Sequence, residues 1–136
     1  MKKSERPDHG LELLLDLDGV KFELERGFWV KFDVLQVART PEIPHGIRYS
    51  LTLHDRTNRR VLGYDNAHAV TTRYRKRKTS IRDHRHYGQL VEIYHYRTAD
   101  KLLEGFGANT LSTMLSDNVY EFINLMDEEE IGRAHV

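Results

Sequence analysis

Phe28-Trp29-Val30-Lys31-Phe32-Asp33-Val34-Leu35-Gln36-Val37 is the stretch on which the fold turns. Phe28, Val30, Phe32 and Val34 alternate with Trp29, Lys31 and Asp33. Side chains on a strand alternate between faces, so this period of two predicts a long half-buried strand with one apolar side. Trp29 is expected in the core on the strength of its size. Upstream, Leu11, Leu13 and Leu15 alternate with polar and apolar neighbours, Asp18-Gly19 offers a tight turn, and Val20, Phe22 and Leu24 alternate again. That pattern predicts a hairpin, because Asp-Gly supplies the positive φ of a type I′ turn. Downstream, Pro41 and Pro44 bracket a loop with His45-Gly46, since proline removes ladder donors and restricts the residue before it. Ile47 to His54 and Arg60 to Tyr64 flank the polar turn Asp55-Arg56-Thr57-Asn58-Arg59, which predicts a second hairpin.

Asp65 to Ser80 lacks apolar periodicity and reads as a long exposed loop, of a length that compact domains keep for a function or leave disordered. Ile81 to His86 suits a short strand, and Leu90 to Tyr96 a better one with Val91, Ile93 and His95 on one side. Thr98 fits a helix N-cap with Asp100 in the first turn, and Leu102, Leu103 and Phe106 form an apolar stripe. Gly105 and Gly107 are poor helix formers, so either one interrupted helix or two short ones is expected, the pattern restarting over Ser116 to Glu129 with Val119, Phe122, Ile123 and Met126. The order of elements predicts an α+β domain: a mainly antiparallel sheet of five to six strands with a C-terminal helix or helices. The domain is expected over residues 11–129, after a flexible N-terminus at 1–10. The last seven residues, Glu130 to Val136, match the conceptual translation of a short-read sequencing adapter. They are set apart from the fold on that ground, and the natural C-terminus is expected at or beyond Glu129.

At 136 residues the chain suits one domain, and 39% hydrophobic against 31% charged residues provides a modest core. The longest apolar run, Leu13-Leu14-Leu15, is far short of a membrane span, and no apolar segment follows Lys2 and Lys3 as a secretory leader requires. With no cysteine, disulfide scaffolds, thiolate metal sites and cysteine nucleophiles are excluded, which is compatible with a cytoplasmic location. The formal charge is zero, yet it is unevenly placed: −2 over residues 1–44, +8 over 45–86 and −6 over 87–136. The basic third also holds five of the eight histidines. Such a field favours an anionic partner, RNA being the expected one, although a charge run such as Arg73 to Lys78 serves equally well as a solvated loop.

Two clusters could carry chemistry: Gly63-Tyr64-Asp65-Asn66-Ala67-His68 and Asp83-His84-Arg85-His86. On an extended chain His84 and His86 share a face. Two imidazoles beside Arg82 or Arg85 could supply a base, an acid and a cation for metal-independent RNA cleavage, a reading that needs no cofactor. His68 and Asp65 are orienting groups in that reading. His68, His84, His86 and Asp65 could instead bind a divalent metal, and exposed or structural histidines are the plainer alternative. Arg73, Tyr74, Arg75, Lys76, Arg77 and Lys78, with Arg82 and Arg85, are the RNA-binding candidates, Tyr74 being an aromatic set among cations. Asn66 is expected to stabilise the turn leaving its strand by bonding neighbouring backbone. Tyr49, Tyr64, Tyr87, Tyr94 and Tyr96 are expected to pack on a sheet face.

These residues carry a resemblance. Gly46-Ile47-Arg48-Tyr49-Ser50-Leu51-Thr52-Leu53-His54-Asp55, the two clusters just quoted, and Ala99-Asp100-Lys101-Leu102-Leu103-Glu104 together resemble the TumE family, over roughly Leu11 to Phe106. The resemblance implies a small, cytoplasmic bacterial toxin of a two-gene toxin–antitoxin module. Its partner would be a small antitoxin from the adjacent gene, commonly a helix-turn-helix protein. The resemblance implies no particular mechanism: an RNA-cleaving toxin, a non-catalytic inhibitor binding RNA or protein, and a metal-dependent nuclease all stay open. Family members usually continue one acidic amphipathic helix past Phe106, where Gly105, Gly107 and Asn109 are expected to interrupt it here.

Overall fold

The computed structural model describes residues 8–66 and 83–134, with side chains as far as Ser116. Its elements are α1 (Leu11–Asp16), β1 (Lys21–Glu23), a single 3-10 turn, β2 (Trp29–Gln36), β3 (Ile47–His54), β4 (Arg60–Asp65), β5 (His84–Tyr87), β6 (Leu90–Ile93) and α2 (Ala99–Ala134). The six strands form one sheet in sequence order, every neighbouring pair antiparallel. The α+β expectation holds.

Alternation in β2 sorts the residues as the sequence predicts: Val30, Phe32 and Val34 are buried, and Phe28 before the strand joins them. Across β3 and β4 the same face continues with Tyr49, Leu51, Leu53, Leu62 and Tyr64. Leu14 from α1 and Ala99, Leu102 and Phe106 from α2 close over it. The Phe106 ring meets Phe32 edge-on at 5.7 Å and Tyr64 at 5.9 Å, a geometry that adds to simple area burial.

The turn between β3 and β4 is built by Asp55, whose Oδ1 accepts from the backbone N–H of Thr57 (2.9 Å) and of Arg59 (3.1 Å). Asn58 takes the left-handed conformation there, with φ 66°, as asparagine does more readily than most residues. The second hairpin is thus as expected.

The first hairpin is not. Leu11 to Asp16 is a helix, with Leu14 buried and Leu11 and Leu15 packed beside it. The run satisfies both periods, since positions 11, 14 and 15 share a helical face as well as 11, 13 and 15 share a strand face. Leucine favours helix, and none of these residues is β-branched. Packing on α2 and β2 decides the matter. Asp18-Gly19 therefore ends a helix instead of joining two strands: Gly19 has φ +78°, its N–H donates to the Phe32 carbonyl at 2.7 Å, and Asp18 Oδ1 accepts from Val34 N–H at 2.8 Å. The chain then enters β1, a short exposed edge strand on β2.

The C-terminal helix is also a correction, being a single helix of 36 residues and neither interrupted nor divided at Gly105 and Gly107. Each glycine costs about 1 kcal/mol relative to alanine, less than the docking of Leu102 and Phe106 returns. A Cβ at Gly105 would stand 3.6 Å from Tyr64 Oη, so the helix passes close over the sheet at this point. Asn109 does not break the helix either; its Nδ2 donates to Tyr64 Oη. The start of α2 is capped from two sides. Thr98 Oγ1 accepts from Lys101 N–H at 3.4 Å, while Asp8 Oδ1 accepts from Ala99 N–H and the His9 carbonyl accepts from Asp100 N–H at 2.7 Å. Gly10, at φ +82°, lies against this cap, where a Cβ would fall 2.7 Å from Asp100 N. Asp8, His9 and Gly10 are thereby fixed to the start of α2. Among the described residues no helix is long and apolar enough to cross a membrane.

Candidate functional site

Among the described residues the helices pack on one side of the sheet. The other side presents Trp29, Lys31 and Asp33 from β2, Ser50, Thr52 and His54 from β3, Gly63 and Asp65 from β4, and His84 and His86 from β5. Register sets the site, because Asp65 stands directly opposite His84, and Gly63 opposite His86. At Gly63 the backbone lies against the His86 ring, whose Cδ2 would be in ordinary contact with a Cβ, 3.7 Å away. Both imidazoles lean toward one carboxylate: His84 Nε2 is 3.0 Å from Asp65 Oδ1, and His86 Nε2 is 3.2 Å from Oδ2. The rings are 4.8 Å apart and nearly perpendicular.

All three side chains are buried, with relative exposures of 2% for Asp65, 1% for His84 and 7% for His86. A carboxylate this deep is stable only when compensated, and the two imidazoles do so. Asp65, His84 and His86 also form a set whose potential ligand atoms all lie within 4.8 Å of one another.

Asp65 is held in place by the next residue. Asn66 is buried, its Oδ1 accepts from Tyr49 N–H at 2.9 Å, and its Nδ2 donates to the Ile47 carbonyl at 2.7 Å. The expected local turn bond is thus a cross-strand one: the amide prolongs the β3–β4 ladder by one step beyond the backbone. His84 is held by the residue before it, since Asp83 Oδ2 accepts from Tyr49 Oη at 2.6 Å and lies 2.9 Å from His45 Nε2. His45 Nδ1 accepts from Ile47 N–H at 3.2 Å, which leaves the ring proton on Nε2 to be donated to Asp83. Burial, and then Asp83, push the Tyr49 phenol far above its ordinary value. Neither Asp83 nor His45 is among the site residues expected from the sequence. Their signal lay in parity, for Asp83 faces away from His84 and so meets Tyr49 on the helix side.

Arg85 departs from the expected grouping for the same reason. It points to the helix side, with Nε 2.7 Å from Glu92 Oε1 and the guanidinium near the rings of Tyr64 and Tyr87. It does not stand beside the histidine pair. His68, Arg73, Tyr74, Arg75, Lys76, Arg77, Lys78 and Arg82 lie outside the described residues.

Trp29 is not a core residue. It is half-buried on the site's side of the sheet, stacked on His54 at 3.9 Å and 7°, with Lys21 Nζ 4.3 Å from its ring on the other side. The alternation that buries Val30 excludes Trp29 from the same face. Burial first, and then the cations Arg60 and Lys21, hold His54 below its ordinary 6.5. The tyrosines pack as expected: Tyr49 and Tyr64 are buried, and Tyr87, Tyr94 and Tyr96 are partly buried against the core.

Comparison with curated proteins and with solved structures finds no match. A family model described as "Toxin TumE" matches residues 8–109. That span runs from the Asp8 that caps α2 to the Asn109 that meets Tyr64, and it takes in all six strands together with Asp65, His84 and His86. The chain belongs to the TumE toxin family.

Proposed function

We propose that this protein is the toxin of a toxin–antitoxin pair and that it cleaves RNA, with Asp65, His84 and His86 as the reactive centre. One observation carries this reading: a single carboxylate stands between two imidazoles on adjacent strands, buried, on the sheet face the helices leave alone. A structural role would be served as well by apolar residues of similar size, which need no compensation.

Cleavage of an RNA backbone by its own 2′-hydroxyl forms a P–O2′ bond and breaks the P–O5′ bond. The hydroxyl proton must leave and a proton must reach O5′. Imidazoles titrate near neutrality, so they are the side chains best suited to that traffic. The family places an antitoxin opposite this toxin. The basic residues Arg73 to Lys78 and Arg82, next to the cluster in the chain, supply the field for a polyanion. The toxin would act inside the cell that makes it.

Expression without the antitoxin should arrest growth, and purified protein should cut total RNA. His84→Ala with His86→Ala should lose both effects while keeping the wild-type circular dichroism. Arrest that survives the double substitution would identify a non-catalytic inhibitor instead, and intact RNA with the wild-type protein would end the nuclease reading.

A further inference from the structure

We infer that Asp65, His84 and His86 form a divalent metal site of the transition-metal class, with one carboxylate oxygen and the two Nε2 atoms as ligands. The inference rests on the cluster proposed above as the reactive centre, and it departs from the expectation that the centre works without a cofactor.

The first argument is geometric. A zinc-like ion sits about 2.0–2.2 Å from imidazole nitrogen and carboxylate oxygen. Ligand atoms around it are therefore roughly 2.8–3.6 Å apart, from the octahedral to the tetrahedral angle at those bond lengths. The nitrogen–oxygen separations here are 3.0 and 3.2 Å. Each imidazole already stands one polyhedron edge from a carboxylate oxygen, His84 from Oδ1 and His86 from Oδ2, and with the candidate atoms all within 4.8 Å of one another, rotation of the carboxylate or of one ring brings both nitrogens and one oxygen onto a single ion.

The second is chemical. Two imidazoles and a carboxylate suit Zn²⁺, Mn²⁺, Fe²⁺, Co²⁺ or Ni²⁺ and are too nitrogen-rich for Ca²⁺ or Mg²⁺. Both rings turn the same nitrogen toward the same group. Three protein ligands also leave a coordination position for water or a phosphate oxygen.

The third is mechanical. All three residues lie on two strands paired in fixed register, Asp65 opposite His84 and His86 two residues along. Asn66 and Asp83 anchor the chain on either side of these ligands. Such support from behind the ligands is what holds a metal site in shape.

The test uses the full chain, stripped by dialysis against chelator. Titration with Zn²⁺ against a chromophoric chelator should give one ion per chain, and Co²⁺ should give visible bands of a low-coordinate nitrogen–oxygen site. Asp65→Asn, His84→Ala and His86→Ala should each weaken Zn²⁺ binding by more than the roughly 10–100-fold that loss of a group behind the ligands costs. His9→Ala with His95→Ala, both exposed, should bind as wild type does. Should the site variants fail to fold, the wild type alone suffices: Zn²⁺ should protect His84 and His86, but not His9 or His95, from diethylpyrocarbonate in peptide mass mapping.

No saturable binding of Zn²⁺, Co²⁺ or Mn²⁺ by the wild type would overturn the inference, as would undiminished binding by a folded His84→Ala/His86→Ala protein. RNA cleavage in the same preparations separates this inference from the proposed function. Chelator-resistant cleavage by metal-free protein removes the metal and keeps the nuclease. Tight binding by a protein that neither cuts RNA nor arrests growth keeps the metal and removes the nuclease.

Discussion

The two faces of the sheet are made by the same strands, yet burial means different things on each. On the helix side Leu51, Leu53, Leu62 and Leu102 are fully covered, and every ångström squared of apolar surface they remove from water stabilises the fold by about 25 cal/mol. On the other side the covered residues are Asp65, His84 and His86, whose burial costs free energy that their pairing helps to offset. One face maintains the structure, and the other, in the proposed function, uses it. A carboxylate between two imidazoles is a poor way to add stability and a good way to hold reactive groups ready.

The largest effect should come from the polar face. Removing both imidazoles, His84→Ala with His86→Ala, should lower RNA cleavage by the folded protein by about 100-fold or more, the range a positioned acid or base supplies, and should also cost stability, because the buried Asp65 carboxylate loses both imidazoles. A double variant that unfolds while its residual folded fraction still cuts RNA would reverse the roles of the two faces. Leu51→Ala should do the opposite, costing about 2–5 kcal/mol in urea unfolding while the folded protein keeps its activity; a cost under 1 kcal/mol would mean the helix side is loosely packed. Asn66→Ala reaches both faces, since it removes two buried bonds to β3 beside Asp65. It should cost about 1–3 kcal/mol and lower activity together with stability, and unchanged activity would show that Asp65 needs no such support.

A smaller effect concerns pH. Burial, and then hydrogen-bonded carboxylates, raise the Tyr49 and Tyr96 phenols far above the ordinary 10.0. The folded state therefore keeps protons that the unfolded chain gives up above pH 10, so stability should be constant below that point and fall as pH rises beyond it. Tyr49→Phe should flatten the fall, and an identical alkaline slope in the variant would dismiss the phenol as its source. The smallest effect is expected at Lys31 and Asp33, an ion pair on the exposed part of the site's face. Asp33→Ala should move the unfolding free energy by less than about 1 kcal/mol, and a larger loss would reveal that this part of the face is not the solvated surface it looks to be.

The strands at the centre were legible because their alternation admits one reading. Phe28 to Val37 cannot place Val30 and Phe32 inside without placing Trp29 outside, so even the error over Trp29 was correctable from the same pattern. Leu11 to Leu15 was not legible in this way, for five residues with four leucines fit a strand and a helix alike. The helix through Gly105 and Gly107 was hidden because propensity is a per-residue preference, whereas Phe106 and Asn109 are held by Tyr64 on a distant strand. In the site, the shared face of His84 and His86 followed from spacing alone. The partnership of His45, Asp83 and Tyr49 did not, since it joins a loop, a strand entrance and a strand interior.

By itself, then, the sequence determined what is periodic or local: the antiparallel strands, the polar turn at Asp55, the parity of His84 and His86, the uneven charge and the motifs of the family. Only the tertiary structure decided that Asp65 stands between the two imidazoles, that Arg85 turns away from them and that α1 is a helix. The physical reason is one of range. Parity is fixed by the covalent geometry of an extended chain, whereas register between β4 and β5 is set by which residues the whole sheet can bury together, and a slip of one residue would turn Asp65 or both histidines to the other face.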